Sequence, residues 1–421
     1  MNAGLKTSNH IVYLSSFALY VFWATSGYGS VGNYLALGFC IVVMLLNLVQ
    51  FNRSLKYSLH VCEDRSVVYF ILFFIFHCLT SIVNLSDVTY WLGNVIAYTF
   101  VSLFPVLLQR QFATLKNRRL LVKLLYVTGC VWLIMVLISI GYYIMNPDIA
   151  RDAIVYQDQY DNLFIGGGYF LAYGSCIVAV FLFGLYNKKV FVTKKQKRLV
   201  IASVAILAIH VFLTKSTLTT IWLTMGLVLD IVFAQRTKAG KGKWNRRLVV
   251  FVILFGLLLM YIFFGQAIGG LLMEHCDYGS DSLYERRLYE LGTVLNGSVY
   301  TRHTLERLSK PVMSWGQFAA SPLIGIGYKY GYTYSEMKLA GLGTHSELVD
   351  TLAKYGIIGF LPWIAMLISM IRSVQLRLGK NATSVWIIIL ACLMFFNPFV
   401  SMPSMVALGL LIPLVSMVIT K

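Results

Sequence analysis

Charge is scarce in this chain. Only 12% of its 421 residues are charged, against 58% that are hydrophobic. An ordinary soluble domain carries roughly 25% charged residues, so that class is excluded. Acids are the scarcer sign: 17 Asp and Glu stand against 35 Lys and Arg. The usual metal and phosphate motifs are missing too. There is no CxxC, no HExxH, no P-loop and no DxD-like acidic pair, so neither a metal nor another cofactor is expected. The seven cysteines form no disulfide framework. Cys40, Cys62, Cys78, Cys130, Cys176 and Cys392 lie in or beside apolar runs, and Cys276 stands alone in a polar stretch. No internal repeat of the kind that builds inverted-repeat transporters is visible. The first apolar run lacks a small-residue cleavage site and reads as a retained span.

Long apolar runs fill most of the chain. A helix that crosses a bilayer needs roughly 20 apolar residues, and about twelve such runs are present. They centre near 11–28, 33–51, 67–84, 89–108, 120–145, 166–186, 199–213, 217–235, 248–270, 354–372, 383–398 and 402–420. The expected fold is therefore an all-α polytopic membrane protein. Residues 1–270 would hold the first nine helices, 271–345 a large outward loop and 346–421 the last three helices.

A net charge of +18 could suggest nucleic acid, but its distribution argues otherwise. Basic clusters recur in alternate loops: Arg110/Lys116/Arg118/Arg119, Lys188 to Arg198, and Arg236 to Arg247. This is the positive-inside pattern, which places those loops and both termini in the cytoplasm. A further role for these clusters in binding anionic membrane lipid stays open. The intervening loops carry nearly all the acids. Two outward segments are long enough to work on a substrate, 146–166 and 271–345.

The longer segment ends in GLGTHSELVDTLAKYGIIGF. Thr344-His345-Ser346-Glu347 has the form of a capping box, with Thr344 as N-cap and Glu347 at N3. His345 would then sit in a first helical turn, where free N–H groups and the dipole favour an anion. The same field disfavours imidazolium, so His345 is expected to be neutral and able to accept a proton. A histidine merely resting at the interface is the plain alternative. Glu347 reads as a cap or as a helper of the histidine, and Asp350 is left unassigned.

Arg286, Arg287, Arg302 and Arg307 lie in the long segment, and Arg151 in the other. Arginine offers a rigid fork of donors that suits phosphate oxygens. Several converging together would bind a diphosphate, whereas each alone could pair with a nearby acid such as Glu285 or Glu290. Lys215 lies at the outer end of two apolar helices, where snorkelling and ligand binding explain it equally well. Gly325, Gly327 and Gly331 make SPLIGIGYKYGY turn-rich without matching the dinucleotide fingerprint. Tyr328, Tyr330, Tyr332 and Tyr334 could stack on sugar rings or serve as interfacial aromatics.

The layout resembles the bacterial O-antigen polymerase and O-antigen ligase superfamily. Two local patterns carry the likeness. His345 followed by Gly356 and Gly359, in HSELVDTLAKYGIIG, looks like the family's H-x10-G element. Arg307 stands fifteen residues before Pro322 of a PLxGxG-like turn. Arg151 matches the basic residue of the family's earlier outward loop. One position departs: where the family often has a Ser/Thr-Arg pair, this chain has Lys215-Ser216-Thr217, and lysine cannot reproduce a bidentate contact.

The resemblance implies a GT-C-type glycosyltransferase of the bacterial inner membrane, with its site facing the periplasm. The donor would be an oligosaccharide on undecaprenyl diphosphate. His345 would be the general base and the arginines would stabilise the leaving diphosphate without a metal. A polymerase would accept another lipid-linked repeat unit and could work beside a chain-length regulator. A ligase would accept lipid A–core instead. A flippase for the same lipid-linked sugars is a third reading, but it would place charges inside the spans and use short outer loops.

Overall fold

The computed structural model describes residues 7–26, 30–51, 65–83, 98–114, 117–146, 149, 168–235, 267–277, 279, 283–296, 302–326 and 340–420. Among these the chain is helical and has no strand. The helices are α1 (Thr7–Ser26), α2 (Ser30–Phe51), α3 (Arg65–Val83), α4 (Tyr98–Thr114), α5 (Arg118–Met145), α6 (Gly168–Asn187), α7 (Lys194–Leu213), α8 (Thr217–Gln235), α9 (Leu283–Leu295), α10 (Arg302–Ala320), α11 (Glu347–Leu378), α12 (Lys380–Phe396) and α13 (Met402–Thr420).

Five of these, α5, α6, α7, α11 and α13, are long and apolar enough to cross a membrane. Shorter apolar stretches occupy α1, α2, α3, α8 and α12. The chain is therefore a helical membrane protein. The run expected at 248–270 lies outside the described residues except for its last few positions, which are helical. The pair expected at 199–235 is a helical hairpin, turned at Thr214-Lys215-Ser216.

Two helices form the centre of the bundle. The apolar window of α13 is 89% buried and that of α6 is 78% buried, whereas α5, α7 and α11 bury a third or less. Helix α13 packs against α1, α4, α5, α6 and α11. Its middle turn, Ala407–Leu411, is a π-type turn, and Gly409 there lets the backbone approach α4: a Cβ at that position would lie 2.7 Å from the Cβ of Pro105. Within a bilayer, tails are as apolar as Leu, so helices associate through close packing of this kind. Trp132, Trp363 and Trp386 are almost wholly buried; Trp132 packs at Gly174 of α6 and Trp386 against Phe181 of the same helix.

Helix α11 contains 32 residues, a rise of about 48 Å, well beyond the roughly 30 Å hydrocarbon core. It is not one continuous helix. Gly356 has φ 59° and ψ −168°, which breaks it in two. Residues 357–378 alone rise about 33 Å, enough to span. The preceding piece, 347–355, belongs to the site.

Candidate functional site

The site is built where α10, the 340–346 segment and the start of α11 meet. Three polar side chains lock them together. Ser314, fully buried on α10, accepts the N–H of Gly343 at 2.8 Å and donates to Asp350. The other carboxylate oxygen of Asp350 accepts the N–H of Ser346 at 3.0 Å. Ser346 is the N-cap of α11, and its Oγ accepts the N–H of Val349. Gly343 also has to be glycine, because a Cβ there would run into the backbone of Lys310.

The cap thus differs from the sequence expectation. An N-cap residue has extended backbone, and Thr344 has φ 57°. Its hydroxyl donates to the carbonyl of Gly343 instead. The cap falls two residues later, at Ser346, and Asp350 takes the role of reaching back that Glu347 was expected to fill. A β-branched residue in the left-handed region is uncommon and costs on the order of 1–2 kcal/mol. The Ser314–Asp350 lock and the glycines on either side of Leu342 hold it there.

His345 consequently sits one residue before the cap, outside the helix. Its Nδ1 is 2.8 Å from the carbonyl oxygen of Thr344, and its Nε2 is 3.1 Å from Nζ of Lys310. A carbonyl only accepts and an ammonium only donates. The two contacts match the Nδ1–H tautomer, with the Nε2 lone pair turned toward Lys310. These two contacts, rather than a helix dipole, surround the imidazole.

Glu347 faces elsewhere. Its carboxylate accepts from Thr351 Oγ1 at 3.0 Å and from the N–H of Val400 at 2.9 Å. Its own N–H donates to the carbonyl of Asn397. Glu347 therefore ties the site helix to the turn between α12 and α13.

The break in α11 is filled from the other motif. The N–H groups of Ile357 and Ile358 donate to the carbonyls of Pro322 and Leu323 at 2.9 and 3.0 Å, and the N–H of Ile326 donates to the carbonyl of Ala353. Gly325, at φ 70°, and Gly356 meet backbone to backbone, and a Cβ on either would enter the other segment. The PLIGIG turn and the His345-to-Gly356 element are one structural unit.

The predicted cations are placed unevenly. Arg302 opens α10, and Arg307 lies on it one turn before Lys310. Arg286 and Arg287 are on α9, where Arg286 is half-buried. Lys215 occupies the α7–α8 turn with φ 53°, and its N–H donates to the carbonyl of Phe212. Arg151, Tyr328 and Tyr330 lie outside the described residues. Among the described residues no three His, Cys, Asp or Glu side chains are grouped as a metal ion would need. Sequence reading missed Lys310 and Ser314, since a lone lysine and a lone serine in an amphipathic stretch carry no pattern.

No protein-family model matches the chain, and no curated protein matches it.

Proposed function

We propose that this protein is an inner-membrane glycosyltransferase of GT-C type, with about twelve spans and its site on the periplasmic side. It would transfer a glycan from undecaprenyl diphosphate to a sugar hydroxyl, as a surface-polysaccharide polymerase does. The observation that carries this reading is the His345–Lys310 contact at 3.1 Å, on a helix that also bears Arg302 and Arg307. A proton acceptor beside a positive charge suits displacement of a diphosphate.

The chemistry follows from the tautomer. The acceptor hydroxyl gives its proton to Nε2 of His345 while its oxygen bonds to the anomeric carbon. The bond from that carbon to the phosphate oxygen breaks, and the polyprenyl diphosphate leaves with the electron pair. Nε2 starts out engaged by Lys310. A bound diphosphate would draw the ammonium onto its own oxygens and expose the lone pair to the hydroxyl. Donor binding would thereby prepare the base. The Nδ1–H bond to the Thr344 carbonyl stabilises the imidazolium that forms.

The test is reconstitution. The purified chain in liposomes should lengthen glycan on undecaprenyl-diphosphate-linked oligosaccharide, read as a ladder on a gel. Transfer only to added lipid A–core would mark a ligase instead. No transfer to either acceptor, with translocation of the lipid-linked sugar, would replace the enzyme with a carrier.

A further inference from the structure

The second half of α10 is built inside out. Residues 311–326, PVMSWGQFAASPLIGI, contain no charged side chain. On a helix in water, polar residues face out and apolar ones face in. Here Lys310, Ser314, Gln317 and Ser321, at helical spacing, are turned toward the protein, with Ser314 fully buried. Val312, Met313, Trp315, Leu323 and Ile324 are exposed, at 68%, 41%, 55%, 62% and 55%.

This surface runs on into a spanning helix. The carbonyls of Pro322 and Leu323 bond the N–H groups of Ile357 and Ile358, and Ile357, Ile358 and Leu361 are exposed on α11. The outward apolar residues of a span face acyl chains. The same hydrogen bonds supply what a broken helix needs at membrane depth, since unpaired backbone is not tolerated against lipid.

We propose that residues 311–326 are embedded in the outer leaflet, with acyl chains as the partner of the Val312–Trp315–Ile324 surface. The 271–345 segment is then not wholly aqueous. Residues 311–326 enter the bilayer beside the Gly356 break and hold Lys310 and His345 close to the plane of lipid headgroups. The leaflet follows from the positive-inside orientation, the embedding rests on exposure and bonding, and neither depends on the proposed reaction.

A photoreactive benzoylphenylalanine placed at Val312 or at Ile324 in the full chain tests this, with exposed Glu274 as the aqueous control. After irradiation in native membranes, both test positions should yield phospholipid adducts by mass spectrometry and Glu274 should yield none. Adducts to a second copy or to another protein, or no lipid adduct at either position, would overturn the proposal. Two sites are used so that one disruptive substitution does not decide the result.

Discussion

At the scale of single residues, His345 and Ser346 are neighbours with separable duties. His345→Ala removes the proposed base and should lower the rate by about 10²–10⁴, the usual range for general-base catalysis. Ser346 and Asp350 still cap the helix in that variant, so the protein should remain in the membrane at normal levels. Ser346→Ala should do the reverse, costing about 1 kcal/mol of stability with far less effect on rate. Glycan extension and thermal unfolding, measured on both at matched levels, separate the roles. Active His345→Ala enzyme would remove the histidine from the mechanism.

Lys310 offers a second test at this scale. Its ammonium meets Nε2 of His345, and in the proposed reaction it moves to the leaving diphosphate. Lys310→Met should cost on the order of 10²–10³ in kcat, as loss of one charge-stabilising donor does. Lys310→Arg should recover part of it. If Lys310→Met keeps a normal kcat and only raises KM, the lysine binds donor without preparing the base.

At the scale of elements, the docking of the PLIGIG turn on α11 is the feature that shapes the site. Gly356 occupies a backbone region almost restricted to glycine, in which another residue costs about 1–3 kcal/mol. A side chain there would also push into the carbonyl of Leu323. Gly356→Ala should therefore lower the unfolding midpoint in detergent and weaken activity. Gly129→Ala is the contrast. Gly129 is inside α5 with open space around it, so alanine should be neutral or mildly stabilising. Equal midpoints for the two variants would mean that the break in α11 is not held by the turn.

At the scale of the whole molecule, the proposed diphosphate site draws on segments far apart in sequence. Arg151 precedes α6, and Arg307 is on α10. If both reach the diphosphate, Arg151→Ala and Arg307→Ala should each abolish glycan extension while leaving the protein membrane-inserted. Lysine at either position should rescue only partly, because the planar fork is lost. Full activity in both alanine variants would take the arginines out of the site and leave Lys310 as its main cation.

The amino-acid sequence by itself determined that this chain is helical and membrane-bound, and it marked 271–345 as the segment of interest. Those are local properties. Apolar run length decides what a bilayer accepts, and the sparse charges collect in the connections. His345 and the two glycine motifs were legible for the same reason: residue type and spacing are written along the chain. Tertiary structure decided the rest. Thr344 looked like the cap until the Gly343–Ser314–Asp350 contacts turned its backbone left-handed and moved the cap to Ser346. Glu347 looked like a partner for histidine until the 397–400 turn, more than fifty residues on, claimed its carboxylate. Lys310 carried no signal at all, because its meaning is a 3.1 Å contact with a residue thirty-five positions away. Such contacts depend on how helices pack and where one breaks, and neither is encoded in the periodicity of any single segment.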